Sequence, residues 1–133
     1  MTALPVPEVP HLGEAGAFWR GIAADELLLE RCRSCSAVVW YPRGFCPSCG
    51  SGVTLEPASG EGAVYSFSVV HRGAGEYRGC EPYVVAYVEL DEGPRILTNV
   101  VGCDPDSLVI GARVRVVFDH GPDGSALYRF TTV

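Results

Sequence analysis

The part of the chain that follows residue 61 alternates apolar and polar residues with the period of two that is typical of β-strands. Val114, Val116 and Phe118 fall on one face of such a segment, whereas Arg113 and Arg115 fall on the other. β-Branched and aromatic residues are concentrated in five segments, at residues 62–72, 82–91, 95–102, 112–120 and 125–133. The pattern therefore predicts five strands.

Turn-forming sequences separate the predicted strands. Asp91-Glu92-Gly93 lies between two apolar runs, as in a tight hairpin. Between the third and fourth strands, Asp104 can cap a short helical turn that starts at Pro105. Five strands with a helical turn at this point match a small Greek-key barrel such as the OB-fold, which we predict for residues 58–133.

The beginning of the chain has a different pattern. Residues 1–12 are rich in proline without regular periodicity, which predicts an extended lead-in or a linker. In residues 13–30, Phe18 and Trp19 begin an apolar pattern with helical spacing, which predicts a short helical arm. Residues 27–31 are expected to run extended into the first pair of cysteines.

Two Cys-x-x-Cys pairs lie ten residues apart, Cys32 with Cys35 and Cys46 with Cys49. Four thiolates at this spacing can converge tetrahedrally on one metal ion. Residues 31–57 are therefore predicted to form a metal ribbon, in which the ion supplies folding energy to a segment too small for a core of its own.

Four thiolates suit either zinc or iron. The second pair is similar to rubredoxin, but Ser36 stands where rubredoxin has glycine, which favours zinc. A closed four-thiolate site has no open coordination position and cannot activate water, so we expect one structural zinc ion.

Composition limits the class of protein. The 133 residues carry a formal net charge of −6, and all ten basic residues are arginine, which argues against broad attraction to nucleic acid or to an anionic membrane. The sequence has no secretory leader and no apolar run of membrane-spanning length. These features predict a cytoplasmic protein, in which the thiols stay reduced.

An OB-fold protein that binds single-stranded nucleic acid is the alternative function. Trp40, Tyr41, Arg43 and Phe45 lie on the ribbon, and aromatic and basic side chains of this kind stack bases and contact phosphates. Against this alternative, the remainder of the chain is acidic and its strand arginines are too few for a continuous basic track.

Residues for catalysis by the chain alone are sparse. A pair formed by His71 and Cys80 across the intervening loop is conceivable, but no local signature supports it. Cys103 is expected to be a small buried hydrophobic residue. The sequence therefore predicts a protein without catalytic residues of its own.

Large apolar side chains exceed what so small a ribbon can bury. Phe18, Trp19, Val39, Trp40 and Tyr41 together predict a protein interface. The alternative for Trp19 and Trp40 is that they pack the ribbon against the barrel.

The chain resembles a known family over about residues 15–130. The resemblance rests on the stretches FWRGIAADELLLERCRSC, YPRGFCPSCGS, GAVYSFSVVHR, PYVVAYVELDEGPRILTNVVG and LVIGARVRVVF. The family comprises OB-fold proteins associated with acyl-CoA metabolism that carry an N-terminal rubredoxin-like zinc ribbon, also called domain of unknown function 35.

The resemblance implies a non-catalytic auxiliary subunit that binds a thiolase or a thiolase-like aldolase, as in steroid side-chain degradation. It also implies a hot-dog-fold hydratase domain as a second partner, in the same chain or complex. The four cysteines match the family's zinc ligands, while Phe18 and Trp19 match its helical arm. Arg43, Arg72 and Arg78 are candidates for contact with CoA phosphates, and the alternative for each is a solvated surface arginine.

Overall fold

The structure is a computed structural model that describes residues 3–9 and 13–133. The described chain contains one α-helix, α1 (Gly16–Ala23), preceded by a 3-10 turn at Gly13–Ala15. Its strands are β1 (Leu28–Cys32), β2 (Val38–Val39), β3 (Val53–Pro57), β4 (Glu61–Val70), β5 (Tyr83–Leu90), β6 (Arg95–Val101), β7 (Arg113–His120) and β8 (Ala126–Thr132). Among these residues no helix has the length and apolar character needed to cross a membrane. The predicted mainly β fold class is confirmed.

Strands β4 to β8 form a closed barrel with the order β4-β5-β6-β8-β7. Neighbouring strands are antiparallel except β6 and β8, which pair in parallel at Val100 with Phe130 and at Val101 with Thr131. A short antiparallel contact between β4 and β7 closes the ring. This is the five-stranded OB-fold that the alternating pattern predicted.

Two predicted turns are confirmed. Gly93 adopts a φ of +116° and donates its N–H to Leu90 O at 2.8 Å, which closes the β5–β6 hairpin. Asp104 caps a 3-10 turn that begins at Pro105, because its carboxylate accepts a hydrogen bond from Asp106 N at 3.0 Å. Both turns depend on local residues only, which is why the sequence alone revealed them.

The core lies inside the barrel and extends beneath α1. Alternate residues of the strands point inward, among them Val64, Val88, Ile96, Val114 and Phe130. Each such side chain stabilises the fold by about 1.5–3 kcal/mol relative to an exposed position.

Helix α1 covers one end of the barrel. Phe18 and Ile22, four residues apart, are completely buried against the barrel core. The helix also packs closely on β1, since a Cβ at Gly21 would lie 2.9 Å from the Leu28 side chain. Just after the helix ends, Asp25 contacts His120 of β7 at 2.6 Å. Helix and barrel therefore form one packed unit.

The ribbon contains a small antiparallel sheet with the order β2-β1-β3. Strand β1 corresponds to the extended segment predicted at residues 27–31. Strands β2 and β3 were not predicted individually within the ribbon. Pairing of Cys32 with Val53 brings the first cysteine pair beside the start of β3.

The N-terminal segment, residues 3–9, runs without regular structure along the barrel. The guanidinium of Arg129 donates hydrogen bonds to Pro5 O at 2.6 Å and to Leu4 O at 3.4 Å, and it pairs with Asp119. Ser125 Oγ accepts a hydrogen bond from Val9 N at 3.2 Å. The remainder of the predicted lead-in, residues 1, 2 and 10–12, lies outside the described residues.

Candidate functional site

The ribbon carries two tight turns that each present a pair of cysteines. Ser36 N donates to Cys32 O at 3.2 Å, and Ser36 adopts a φ of +62°. In the second turn, Gly50 N donates to Cys46 O at 2.7 Å, and Gly50 adopts a φ of +78°. The left-handed backbone that closes the second turn suits glycine, which has no Cβ to clash.

The turns bring four sulfur atoms together. All four Sγ atoms of Cys32, Cys35, Cys46 and Cys49 lie within 4.8 Å of one another. The Cys32–Cys49, Cys35–Cys46 and Cys35–Cys49 pairs are separated by 3.4, 3.7 and 3.8 Å. Four sulfurs at 2.3 Å from a tetrahedral zinc are about 3.8 Å apart, so the cluster has the size that one zinc ion requires.

Backbone N–H groups stabilise the thiolate form that binds metal. The pKa of the Cys32 thiol is lowered, first by the N–H of Cys35, whose nitrogen lies 3.4 Å from the sulfur. In the same way the N–H of Cys49 lowers the pKa of Cys46, and the N–H of Ser51 lowers the pKa of Cys49. At Cys35 the N–H of Ala37 also lowers the pKa, but hydrogen bonds with the neighbouring thiols outweigh it and raise the pKa to about 11. The backbone of the turns therefore favours deprotonated sulfur ligands at Cys32, Cys46 and Cys49.

The four thiolates fill a tetrahedral coordination sphere, so a zinc ion here has no position for water or substrate. The predicted zinc cofactor fits these residues. The ion holds the two turns together and has a structural role.

Glu30, which the sequence analysis missed, fixes the loop that follows β2. Its side chain is buried, and its carboxylate accepts hydrogen bonds from Arg43 N at 2.8 Å and from Gly44 N at 3.0 Å. The signal in the sequence was weak, because Glu30 lies 13 residues from Arg43 and one charged residue in a strand is ordinarily exposed.

An aromatic cluster joins helix, ribbon and barrel. Phe18 lies at the centre, with ring centroids 5.1 Å from Trp19, 5.3 Å from Trp40, 6.0 Å from Tyr41 and 5.9 Å from Tyr128. Trp19 stacks on Tyr128 and donates its Nε1–H to Tyr41 Oη at 2.6 Å. We call these five residues the aromatic junction.

The structure changes the expectation for two of the predicted interface residues. Phe18 and Val39 are 0% and 3% exposed, because Phe18 packs inside the aromatic junction and Val39 packs against the buried cysteines. Neither offers a surface to a partner in this conformation. Trp19 and Trp40 are half-buried and Tyr41 is exposed, so these three residues form the outer face of the junction.

The three arginines predicted to contact phosphates do not lie together. Arg43 binds backbone of its own loop, since its guanidinium donates to Tyr41 O at 3.2 Å and to Trp40 O at 3.4 Å. Arg72 and Arg78 instead line one hollow of about 630 Å³ at the loop between β4 and β5. Only Arg72 and Arg78 therefore remain candidates for contact with a phosphate.

The structure gives the pair of His71 and Cys80 no support. Cys80 is buried, and its Sγ–H group donates to Ala3 O at 3.6 Å, whereas His71 is exposed. Cys103 is half-buried rather than buried as expected, and its partial burial and the neighbouring Asp104 raise the pKa of its thiol, which favours the protonated form. A further histidine, His11, lies outside the described residues.

Family models match both parts of the molecule. The model described as ChsH2, rubredoxin-like zinc ribbon domain, matches residues 19–56. The model described as ChsH2, C-terminal OB-fold domain, matches residues 55–119. The two matches overlap at residues 55–56, within β3, the last strand of the ribbon sheet.

Similar proteins fall into two groups. A DUF35 domain-containing scaffold protein from Methanothermobacter thermautotrophicus is 40% identical over 119 residues, which cover 84% of this chain and 90% of that protein. A probable enoyl-CoA hydratase alpha subunit from Thermomonospora curvata is 42% identical over 109 residues, which cover 79% of this chain and 33% of that protein. The chain thus spans about a third of the hydratase subunit.

A second hydratase alpha subunit is likewise much longer than the region that it shares with this chain. The 3-oxo-4,17-pregnadiene-20-carboxyl-CoA hydratase alpha subunit of Mycobacterium tuberculosis is 34% identical over 114 residues, which cover 81% of this chain and 34% of that protein.

Solved structures share the arrangement of ribbon and barrel. The structure of the Ltp2-ChsH2(DUF35) aldolase contains a chain that matches with a TM-score of 0.85 at 32% identity, covering 93% of this chain and 98% of that chain. A DUF35-family protein of unknown function from Sulfolobus solfataricus matches with a TM-score of 0.67 at 16% identity, over 92% of this chain and 88% of that chain. The latter match shows a shared fold.

Proposed function

This chain is a member of the DUF35 family, and from that premise we propose that it is a non-catalytic scaffold subunit of a thiolase-superfamily enzyme that acts on acyl-CoA. The observation that carries the proposal is the match to the DUF35 chain of an aldolase, which extends over almost the whole of both chains. The chemistry belongs to the partner enzyme. This chain stabilises the enzyme and helps to shape its acyl-CoA site.

The chain's own groups support a non-catalytic role. The cluster of four thiolates is coordinatively closed when zinc is bound, so it offers no Lewis-acid site for a substrate. The Cys80 thiol is buried and hydrogen-bonded to the backbone carbonyl of Ala3. The chain therefore offers a partner enzyme a surface of fixed side chains and no reactive group.

The outer face of the aromatic junction is our candidate for the enzyme interface. Tyr41 contacts both Trp40 and Trp19, and the buried Phe18 and half-buried Tyr128 pack against these residues. Aromatic side chains that are already held in place lose little conformational entropy on binding, which makes them effective interface anchors.

A hydratase domain is the second proposed partner. The two hydratase alpha subunits are about three times as long as the region they share with this chain. We therefore place the chain in an acyl-CoA pathway in which a hydratase and an aldolase or thiolase act on related substrates, with steroid side chains as one candidate class.

Co-expression tests the proposal directly. The chain carries an affinity tag and is co-expressed with the thiolase-like protein encoded nearest to it, and the eluate is assayed for cleavage or condensation of acyl-CoA. We expect a stable complex that turns over acyl-CoA, while the chain alone does not. A chain that elutes alone from every such co-expression would refute the scaffold role and favour the nucleic-acid alternative.

A further inference from the structure

The loop between β4 and β5 is folded around the carboxylate of Glu81. Gly73 N donates to Oε2 at 2.5 Å, and Gly79 N donates to Oε1 at 2.6 Å. A Cβ at Gly73 would lie 2.8 Å from Tyr77 O, and Gly79 adopts a φ of +94°. Both positions therefore require glycine, and both carboxylate oxygens are occupied by backbone donors.

Two arginines lie at the ends of this loop. Arg72 and Arg78 line the hollow of about 630 Å³ together with Gly73, Ala74 and Glu81. Both arginines are exposed, and within residues 3–9 and 13–133 neither forms an ion pair. Four other arginines each pair with a carboxylate, and Arg33 and Arg43 donate to backbone carbonyls instead. Arg20 and Arg115 form no ion pair among the described residues either, but only Arg72 and Arg78 share a hollow.

The carboxylate in this hollow forms no ion pair with either arginine: the hydrogen bond from Gly73 N comes first among the causes that lower the pKa of Glu81, and the charge of Arg78 comes last. Glu81 lines the same hollow, but its oxygens face the backbone N–H groups of Gly73 and Gly79. The chain has a net charge of −6, yet this hollow holds two arginines and a single carboxylate, whose oxygens accept from backbone donors. An external anion is the partner that this arrangement lacks.

We propose that the hollow bounded by Arg72 and Arg78 binds a phosphate-bearing anion. The planar guanidinium groups donate paired hydrogen bonds to phosphate oxygens, in a geometry that lysine does not reproduce. Gly73 lines the hollow, and a Cβ there would lie 3.1 Å from Glu81 Oε2. That the anion is the nucleotide portion of acyl-CoA rests on the proposed function, and a free phosphate is the other source of the same chemistry.

A titration of the intact, zinc-loaded chain tests the site. Three probes are used separately: CoA, adenosine 3′,5′-bisphosphate and inorganic pyrophosphate, each followed through the ¹⁵N–¹H signals of Gly73 and Gly79. We expect saturable shifts, and we expect binding to weaken by about tenfold or more when Arg72→Gln and Arg78→Gln are combined. Arg115→Gln removes one exposed arginine outside the loop and should leave the affinity unchanged.

The three probes separate the sources of the anion. Tighter binding of CoA and the bisphosphate supports a nucleotide site, while equal binding of all three supports a site for free phosphate. Absence of saturable binding by every probe would overturn the proposal, as would an equal loss in Arg115→Gln.

The result of this titration can be told apart from the result of the co-expression experiment that tests the proposed function. A chain that binds these probes but never co-elutes with a thiolase-like protein keeps the anion site and loses the scaffold role. A complex that forms without any probe binding by the chain gives the opposite result.

Discussion

Cys46 is the most deeply placed of the four sulfur ligands. It is completely buried and packs with Cys32 and Val39 as the small core of the ribbon. We expect Cys46→Ser to release zinc and to unfold the ribbon, because the ribbon has little other apolar core to replace the metal's contribution. Zinc content per chain, measured by plasma mass spectrometry, checks the outcome.

Cys103→Ser is the matched control, since Cys103 lies outside the sulfur cluster. It should retain one equivalent of zinc and a folded ribbon. A full equivalent of zinc in the Cys46→Ser protein would contradict the assignment of four thiolate ligands.

Glu81 should make the β4–β5 loop sensitive to acid. Its pKa lies below the ordinary value of 4.5, first because of the hydrogen bond from Gly73 N. A carboxyl group whose folded pKa is lowered stabilises the fold fully above the ordinary pKa, and this contribution is lost as the pH falls through the folded pKa. We expect the amide signals of Gly73 and Gly79 to lose their hydrogen-bonded shifts below pH 4.5.

An acid titration followed by ¹⁵N–¹H spectra tests this expectation, with signals from β5 reporting whether the barrel itself stays folded. At neutral pH, Glu81→Gln should weaken the same two amide bonds, because a neutral acceptor replaces the carboxylate. Identical Gly73 and Gly79 shifts in both proteins would count against the role of Glu81.

At the residue scale, sequence spacing revealed the zinc ligands because their geometry is local. The roles of Glu30 and Arg129 were not predicted. Glu30 accepts from a backbone N–H and Arg129 donates to a backbone carbonyl, and each of these groups comes near only in the folded chain. Phe18 was expected to be exposed because the ribbon alone could not bury it. Its burial depends on Tyr128, which comes from the last strand of the barrel.

The side chain of Arg129 is one of the groups that hold the N-terminal segment against the barrel. Arg129 is 1% exposed and holds two carbonyls of this segment as well as the carboxylate of Asp119. We expect Arg129→Met to lower the free energy of unfolding by about 3 kcal/mol, because Asp119 and the carbonyls lose a charged partner. Denaturant unfolding measures this change.

Limited proteolysis provides the second readout for this element. Cleavage within residues 3–9 should become faster in Arg129→Met than in Arg115→Met, which replaces an exposed arginine on the neighbouring strand β7. Equal cleavage rates would show that other contacts hold the segment.

The strands of the barrel were predictable because each has one buried face. Residues of β5 alternate between buried and more exposed positions, which produces the period of two in the sequence. Strand β3 has no buried residue, and β2 contains only two residues, so neither produces such a pattern. Their existence follows from pairing with β1, which a single sequence does not display.

At the scale of the whole molecule, the aromatic junction is where helix, ribbon and barrel can act together on a partner. Tyr41 is its most exposed member and lies next to Trp40. We expect Tyr41→Ala to weaken binding to the thiolase-like enzyme by about 2 kcal/mol, which corresponds to roughly a thirtyfold higher Kd. Isothermal titration of the two purified subunits measures the change.

Tyr87→Ala is the matched control, because Tyr87 is similarly exposed on the barrel and lies outside the junction. Its affinity for the enzyme should equal that of the unmodified chain. An unchanged affinity in Tyr41→Ala, with folding intact, would place the interface elsewhere.

The contact between Arg129 and the N-terminal segment also constrains the order of events during synthesis. Leu4 and Pro5 are synthesised before the guanidinium that binds them, which lies 125 and 124 positions later in the chain. Zinc can be captured by the ribbon much earlier, since its four ligands span residues 32–49. A nascent chain therefore carries a metal-stabilised ribbon while its N-terminal segment still lacks a docking site, and that segment is placed only when the last strand is complete.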